Sequence, residues 1–334
     1  MTEASARMIP EPIDDRAAAA LLPERPARGH KGTFGKLLVI AGSLDYAGAA
    51  LLVCRAAGRA GAGLVTLAVP ESLQPLFAAK VEEATTMALP EDDVEEVDPE
   101  PALAKVLDHD HDALVIGPGL RAALATGSLV RGILAIGGDP DPAPAVVDAE
   151  ALRSLASEDG WWEGIRRRSV LTPHTGEFMR LRAASGIEPG ADGDLIADDD
   201  ARGAAASAAA RAWGQVVVLK GARTVVASPD GALAVAPFEN PALASGGTGD
   251  VLAGTIGALL AQGLAPYDAA RLGVHLHGAA GEAVRRHVGD SGLLASDLPF
   301  EVALARRRLH DLAERRRGGR QLGFGSRDDP AAAR

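Results

Sequence analysis

The sequence predicts a doubly wound three-layer α/β/α sandwich, and three observations carry that reading. Short apolar runs suited to strands buried on both faces alternate with helical patterns along the chain. Each run ends in a loop marked by glycine, proline or a charged residue, as at the carboxyl edge of an open parallel sheet. A turn of three glycines and a threonine, Gly246, Gly247, Thr248 and Gly249, opens directly into an apolar helical pattern through Val251, Leu252, Ile256, Leu259 and Leu260.

Taken in order, residues 1–28 are rich in Ala, Glu and Pro, so a flexible arm is expected there, with a short helix over residues 17–22. The domain proper begins near His30. Residues 37–41 read as the first buried strand; the segment between Gly32 and Lys36 ahead of it looks like a phosphate loop but lacks the spacing and precedes the strand, so it is rejected as one. A loop from Gly42, a helix bearing Ala49 and ending near Gly61, and a strand over residues 64–69 complete a βαβ unit. Further strands are expected over residues 113–117, 145–148, 169–172 and 216–219. Their trailing loops carry Gly117 and Gly119; Asp148 and Glu150; Thr172, His174 and Glu177; and Lys220, Gly221, Ala222, Arg223 and Thr224. Singly these are plain turns; together they describe one rim. Residues 225–228 and 232–236 form a hairpin across Pro229, Asp230 and Gly231. The acidic stretch 192–200 leads into a helix starting near Asp198, and another helix runs from Pro266 to Val288. His275 and His277 stand two apart on it and diverge, so they are read as structural and not as ligands of one metal. A last helix ending near Ala313 closes a domain of residues 29–311, and a disordered tail is expected over residues 312–334.

Composition narrows the function classes. With 334 residues, 47% of them apolar, the chain can bury a substantial core. A net charge of −11 argues against a nucleic-acid surface, so an anionic ligand must be held by local geometry. The single cysteine, Cys54, follows Leu51, Leu52 and Val53 and is read as a packing residue. Neither a signal peptide nor an apolar run of about 18 residues is present, so the expected location is the cytoplasm.

The chemistry concentrates at the glycine turn. Glycines let backbone approach a ligand, and the first N–H groups of a helix lack internal partners and carry partial positive charge, which suits phosphate. Asp250 is the only Asp, Glu, Lys, Arg or His between Asn240 and Asp268. Two readings apply to it: a helix-stabilising first-turn charge, or a general base that takes a proton from a substrate hydroxyl during phosphoryl transfer.

The motifs HKGTFGKLLVIAGS, GAGLVTLAVPE, VIGPGL, LTPHTGE, LKGART and NPALASGGTGDVLAG stand in that order. As a set, from about residue 29 to about residue 310, the chain resembles the ADP/ATP-dependent NAD(P)H-hydrate dehydratases of the ribokinase-like superfamily. The resemblance implies a ribokinase-like fold and a repair reaction on the S-epimer of NAD(P)H hydrate, NADHX or NADPHX. A nucleotide phosphorylates the ring hydroxyl, and phosphate leaves as the double bond reforms. It implies Asp250 as the catalytic base, and Ala49, Gly119, His174 and Asp250 lining the hydrate site. It places Lys220, Gly221, Ala222, Arg223, Thr224 and Gly249 against the AMP portion of the nucleotide, and the backbone of Gly246, Gly247, Thr248 and Gly249 as an anion hole. Glu177, three residues after His174, is similar in spacing to an Asn-x-x-Glu element that organises Mg²⁺ through water. Residues 1–28 are too few for the epimerase domain fused to many members, so a stand-alone dehydratase working with a separate epimerase is expected. The Ala-, Arg-, Gly- and Asp-rich usage suggests a bacterial chain and therefore ADP, with ATP the alternative donor. A homo-oligomer, in tetrameric form, is implied as well, and no nucleic-acid or membrane partner. Two other readings stay open: a small-molecule kinase of the same fold, and a non-catalytic nucleotide-binding regulator.

Overall fold

In the computed structural model, which describes residues 10–186 and 193–321, strands and helices alternate along the chain. The strands are β1 (Glu11–Pro12), β2 (Lys36–Ile40), β3 (Leu64–Pro70), β4 (Thr85–Leu89), β5 (Glu91–Asp93), β6 (Glu96–Val97), β7 (Ala113–Ile116), β8 (Ala145–Val147), β9 (Ser169–Leu171), β10 (Val216–Leu219), β11 (Val225–Ala227) and β12 (Leu233–Val235). The helices are α1 (Asp15–Ala20), α2 (Ala47–Ala60), α3 (Gln74–Ala78), α4 (Pro99–Asp108), α5 (Leu124–Ala135), α6 (Glu150–Leu155), α7 (Thr175–Ser185), α8 (Asp199–Trp213), α9 (Thr248–Ala261), α10 (Pro266–Val288) and α11 (Leu298–Gln321).

Among the described residues ten strands form one sheet, in the order β1-β12-β11-β10-β9-β8-β7-β2-β3-β4. From β10 to β4 every pairing is parallel, and β11 runs antiparallel to both its neighbours. The strands are apolar at nearly every position because both sheet faces are covered. Leu37 and Val39 join the layer containing α1, α2, α9, α10 and α11, whereas Leu38 and Ile40 join the layer of α4 to α8. The order reverses at β2, whose neighbours are β3 and β7, and ligands of open parallel sheets bind at such a switch point.

Helix α9 is buried almost all round, which is why its sequence is apolar on every face. Two glycines let it sink that far. A Cβ at Gly254 would stand 2.4 Å from the Val53 carbonyl of α2, and one at Gly257 would stand 2.4 Å from Val115 of β7. Its amino end is thereby fixed at the carboxyl edge of the sheet.

The structure corrects the expected ends of the domain. The arm expected over residues 1–28 is docked where it is described: β1 pairs with β12, Ile13 is fully buried and α1 packs beside α11. Apolar Ile13, Ala18 and Ala19 supply the core contact. The expected tail begins as helix, since α11 continues to Gln321 on helix-forming Leu, Ala, Glu and Arg, with Leu312 and Ala313 against the core. Residues 1–9 and 322–334 lie outside the described residues, as does Asp192 at the head of the acidic stretch. Strand β4 was not expected: its residues are half-exposed on a sheet edge, and TTMAL lacks the unbroken apolar run of the inner strands.

Candidate functional site

Five strand ends, those of β2, β7, β8, β9 and β10, converge with the amino end of α9. After β2, Gly42 donates its N–H to the Pro118 carbonyl at 2.9 Å, joining the β2 and β7 loops across the switch point. Gly119 has φ +65°, and a Cβ there would stand 2.8 Å from both the Ala49 Cβ and the Tyr46 carbonyl. Ala49 and Gly119, distant in sequence, therefore touch, and only glycine meets both the angle and the space. One turn along α2 from Ala49, Leu52 closes on Gly247, whose absent Cβ would lie 2.7 Å from it and 3.7 Å from Asp250 Oδ2. Through that contact the switch-point loops meet the glycine turn.

The glycine turn ends in Gly247, whose φ of +89° reverses the chain into α9. Thr248 donates its hydroxyl to the Leu243 carbonyl at 2.7 Å and its N–H to the Ser245 carbonyl at 3.4 Å, so, against its expected place in the anion hole, the threonine ties the turn together. Among the described residues the N–H groups of Gly246, Gly247, Gly249 and Asp250 meet no acceptor, and they lie at the positive end of a 14-residue helix. Asp250 sits in that first turn. Burial pushes its carboxyl up to about 7, the nearby Asp148 charge adds to the rise, and Lys220 opposes it. Near neutrality it can both take and release a proton.

The opposite wall is charged. Lys220 Nζ lies 2.8 Å from Asp148 Oδ1 and 3.9 Å from Glu177 Oε2, and a Cβ at Gly249 would stand 3.4 Å from that ammonium. Burial alone would lower the Lys220 ammonium, but Asp148 and Glu177 outweigh it and raise its pKa above the ordinary lysine value. His174 caps α7: its Nδ1 accepts from the N–H of Gly176 at 3.0 Å, and the Glu177 carboxylate accepts from the His174 N–H at 2.9 Å. Its ring is otherwise exposed beside Lys220, whose N–H bonds the Pro173 carbonyl at 2.9 Å. Arg223 differs from the rest of its loop, because its side chain turns to Asp199 of α8 at 3.0 Å, away from the glycine turn. Among the described residues no group of three or more His, Cys, Asp or Glu is placed to hold a metal ion. Glu177, expected to organise Mg²⁺ through water, spends one oxygen on a backbone N–H and faces a lysine. A groove of about 600 Å³ beside Cys54, Arg55 and Phe300 contains none of these residues, and burial pushes the Cys54 thiol up to about 12, an inert packing thiol.

Three residues of this neighbourhood are missed by sequence reasoning. Asp148 reads as an ordinary turn residue; the available signal was opposite charges at the ends of two inner strands. Next to it Ala149 holds φ 50° and ψ −118°, a conformation that suits glycine and costs a residue with a Cβ about 1–3 kcal/mol. Arg202 stands at the head of the alanine-rich stretch of α8, fully buried, and its guanidinium donates to the Ala222 carbonyl and to Asp199, clamping the Lys220 loop from beneath. His277, read as structural, donates from Nε2 to the Thr248 carbonyl at 2.9 Å, and burial lowers its imidazole to about 4, so it stays neutral under the glycine turn.

A family model described as NAD(P)H-hydrate dehydratase matches residues 37–301. The chain is 42% identical over 295 residues to the bifunctional NAD(P)H-hydrate repair enzyme Nnr of Moorella thermoacetica, covering 88% of this chain and 53% of that one. It thus spans about half the length of the bifunctional relatives it matches. It is 36% identical over 289 residues to the ADP-dependent (S)-NAD(P)H-hydrate dehydratase of Neisseria meningitidis, covering 85% and 89% of the two chains. Among solved structures, the ADP/ATP-dependent NAD(P)H-hydrate dehydratase of Bacillus subtilis, co-crystallized with ATP/Mg²⁺, superposes with a TM-score of 0.74 at 32% identity over 90% of this chain and 99% of that one.

Proposed function

The chain belongs to the NAD(P)H-hydrate dehydratase family, and from that premise we propose that it uses ADP, or ATP in its place, to dehydrate the S-epimer of NADHX or NADPHX to NADH or NADPH. The single observation that carries the reading is Asp250: a carboxyl raised toward neutrality in the first turn of α9, beside unpaired backbone N–H groups and near a half-buried lysine. Hydroxide is a poor leaving group and phosphate a good one, so the ring hydroxyl must first be phosphorylated. In this reading the hydrate lies against Ala49, Gly119 and His174. The nucleotide lies along Lys220, Gly221, Ala222, Arg223 and Thr224, the arginine contributing backbone, and against Gly249.

The steps follow from those positions. Asp250 accepts the hydroxyl proton as that oxygen attacks the terminal phosphorus, and the bond to the departing AMP, or ADP from ATP, breaks. The unpaired N–H groups of Gly246, Gly247 and Gly249 face the charge gathering on the transferring phosphoryl group, while that of Thr248 stays on the Ser245 carbonyl. The ring nitrogen's lone pair then expels phosphate, and the departing phosphate takes the proton from the neighbouring carbon as the ring double bond reforms. Mg²⁺ carried by the nucleotide would neutralise phosphate charge, with Glu177 orienting its waters. In this reading the domain acts as a cytoplasmic homo-oligomer, tetrameric in the form expected, alongside an NAD(P)HX epimerase. Among the described residues no helix is long and apolar enough to cross a membrane.

The test follows absorbance of the restored dihydronicotinamide when the protein meets NADHX, Mg²⁺ and either nucleotide. A rise with ADP is expected. No rise with either nucleotide, from folded protein that binds both, would overturn the reading.

A further inference from the structure

We propose that Asp148 is a positioning residue for this reaction: by pairing with Lys220 beside the first turn of α9, it fixes the ammonium and holds it off Asp250. The inference rests on Asp250 being the base. Its support is geometric. The Asp148 side chain is 2% exposed, one oxygen stands 2.8 Å from Lys220 Nζ, and the other would stand 3.9 Å from a Cβ at Gly249, the residue before Asp250. Its backbone is pinned on both sides: the N–H donates to the Ile116 carbonyl at 3.1 Å, and the Asp148 carbonyl lies where a Cβ at Gly117 would come within 1.8 Å. The strained Ala149 follows directly, and strain of that kind persists only where the surroundings over-determine it.

The groups facing Asp250 are few. Asp148 comes from the end of β8, Lys220 from the end of β10, and Glu177 of α7 reaches only the lysine. From α10 comes His277, held neutral under Thr248. Leu52 of α2 and Ala295, ahead of α11, bring only apolar groups to Gly247. The signs are therefore set by one anion and one cation. With Asp148 neutralised, Asp250 loses a neighbouring negative charge and meets an unpaired ammonium, and both changes favour its ionised form. With Lys220 neutralised, Asp250 loses a cation and faces an unpaired carboxylate, and both changes favour its protonated form.

The experiment titrates Asp250 directly, by NMR of ¹³Cγ-labelled aspartate in the intact protein free of nucleotide and metal, its signal identified by its loss in Asp250→Asn. The pH profile of kcat/KM with NADHX and ADP is measured alongside. Asp148→Asn should lower the Asp250 midpoint by about one unit or more, Lys220→Met should raise it, and Lys220→Arg should leave it near the parent value. Opposite displacements are the signature, because a loop that merely loosens would move both variants the same way. Displacements of the same sign, or an unmoved midpoint in either variant, overturn the inference. If Asp148→Asn does not fold, Asp148→Ser, which removes the same charge with less bulk, takes its place against Lys220→Met in the same comparison. Opposite NMR displacements in a protein without dehydratase activity would sink the functional reading and leave the positioning role standing; activity with an unmoved midpoint would do the reverse.

Discussion

Where β2 meets β7 the rim is made by contact, and where β8, β9 and β10 end it is made by charge. On the first side Gly119 lies against Ala49, Leu52 lies against Gly247, and no ionised side chain intervenes. On the second, Lys220 lies within 4 Å of both Asp148 and Glu177, and Arg202 holds the loop that follows the lysine from below. Contact sets the shape of what can enter; charge sets the protonation and phosphate chemistry that follow. Asp250 stands where the two sides join, so substitutions on either side should reach it by different routes.

The largest effect expected is at that junction. Asp250→Asn keeps the shape and removes the base, so turnover should fall about 10²–10⁴-fold while nucleotide affinity is retained. Near-normal turnover in that variant, measured at saturating NADHX, would take Asp250 out of the mechanism.

Next come paired substitutions that separate the two sides. Gly119→Ala places a methyl where 2.8 Å is available and forces a positive φ, so KM for the hydrate should rise about tenfold with nucleotide KM unmoved. Arg202→Lys keeps a buried charge but loses the planar fork under the Lys220 loop, so nucleotide KM should rise about tenfold with hydrate KM unmoved. Steady-state kinetics with each substrate varied in turn will tell; a shift of both KM values in both variants would dissolve the distinction between the sides.

The smallest effect is on stability. Asp250 has a folded-state pKa of about 7 against an ordinary value of 3.8, so between those values the unfolded chain has released a proton that the native protein still binds. Stability is therefore lost as pH rises through that window. Asp250→Asn should melt at the same temperature as the parent near pH 4 and at a higher one near pH 8. A Tm difference independent of pH would show that the carboxyl is not strained by its burial.

Much of this was legible in the sequence. The inner strands could be read because a strand buried on both faces leaves an unbroken apolar run, as in 37–41 and 216–219, and helix 266–288 because its apolar stripe persists between a Pro start and a Gly stop. The switch-point glycines and the glycine turn were visible because a positive φ demands a particular residue. The edge strands β1 and β4 were not, since half-exposed backbone pairing imposes little on side-chain type. Asp148, Arg202 and His277 escaped for a different reason. Each acts through a partner 72, 20 or 29 positions away, and only the folded chain makes those residues neighbours.

The briefest strand in the sheet, β1, also decides where the folding unit begins. Its two residues pair with β12, and Ile13 just beyond donates its N–H to Val235 and offers its carbonyl to His275. Without that cover, the hairpin that follows the Lys220 loop would present an open row of amides and carbonyls, the kind of border through which sheets join one another into aggregates. The stretch from Glu11 is thus a selvedge on the fabric, woven in before the first recognisable motif at His30, and the Lys220 side of the site hangs from the cloth it keeps from fraying.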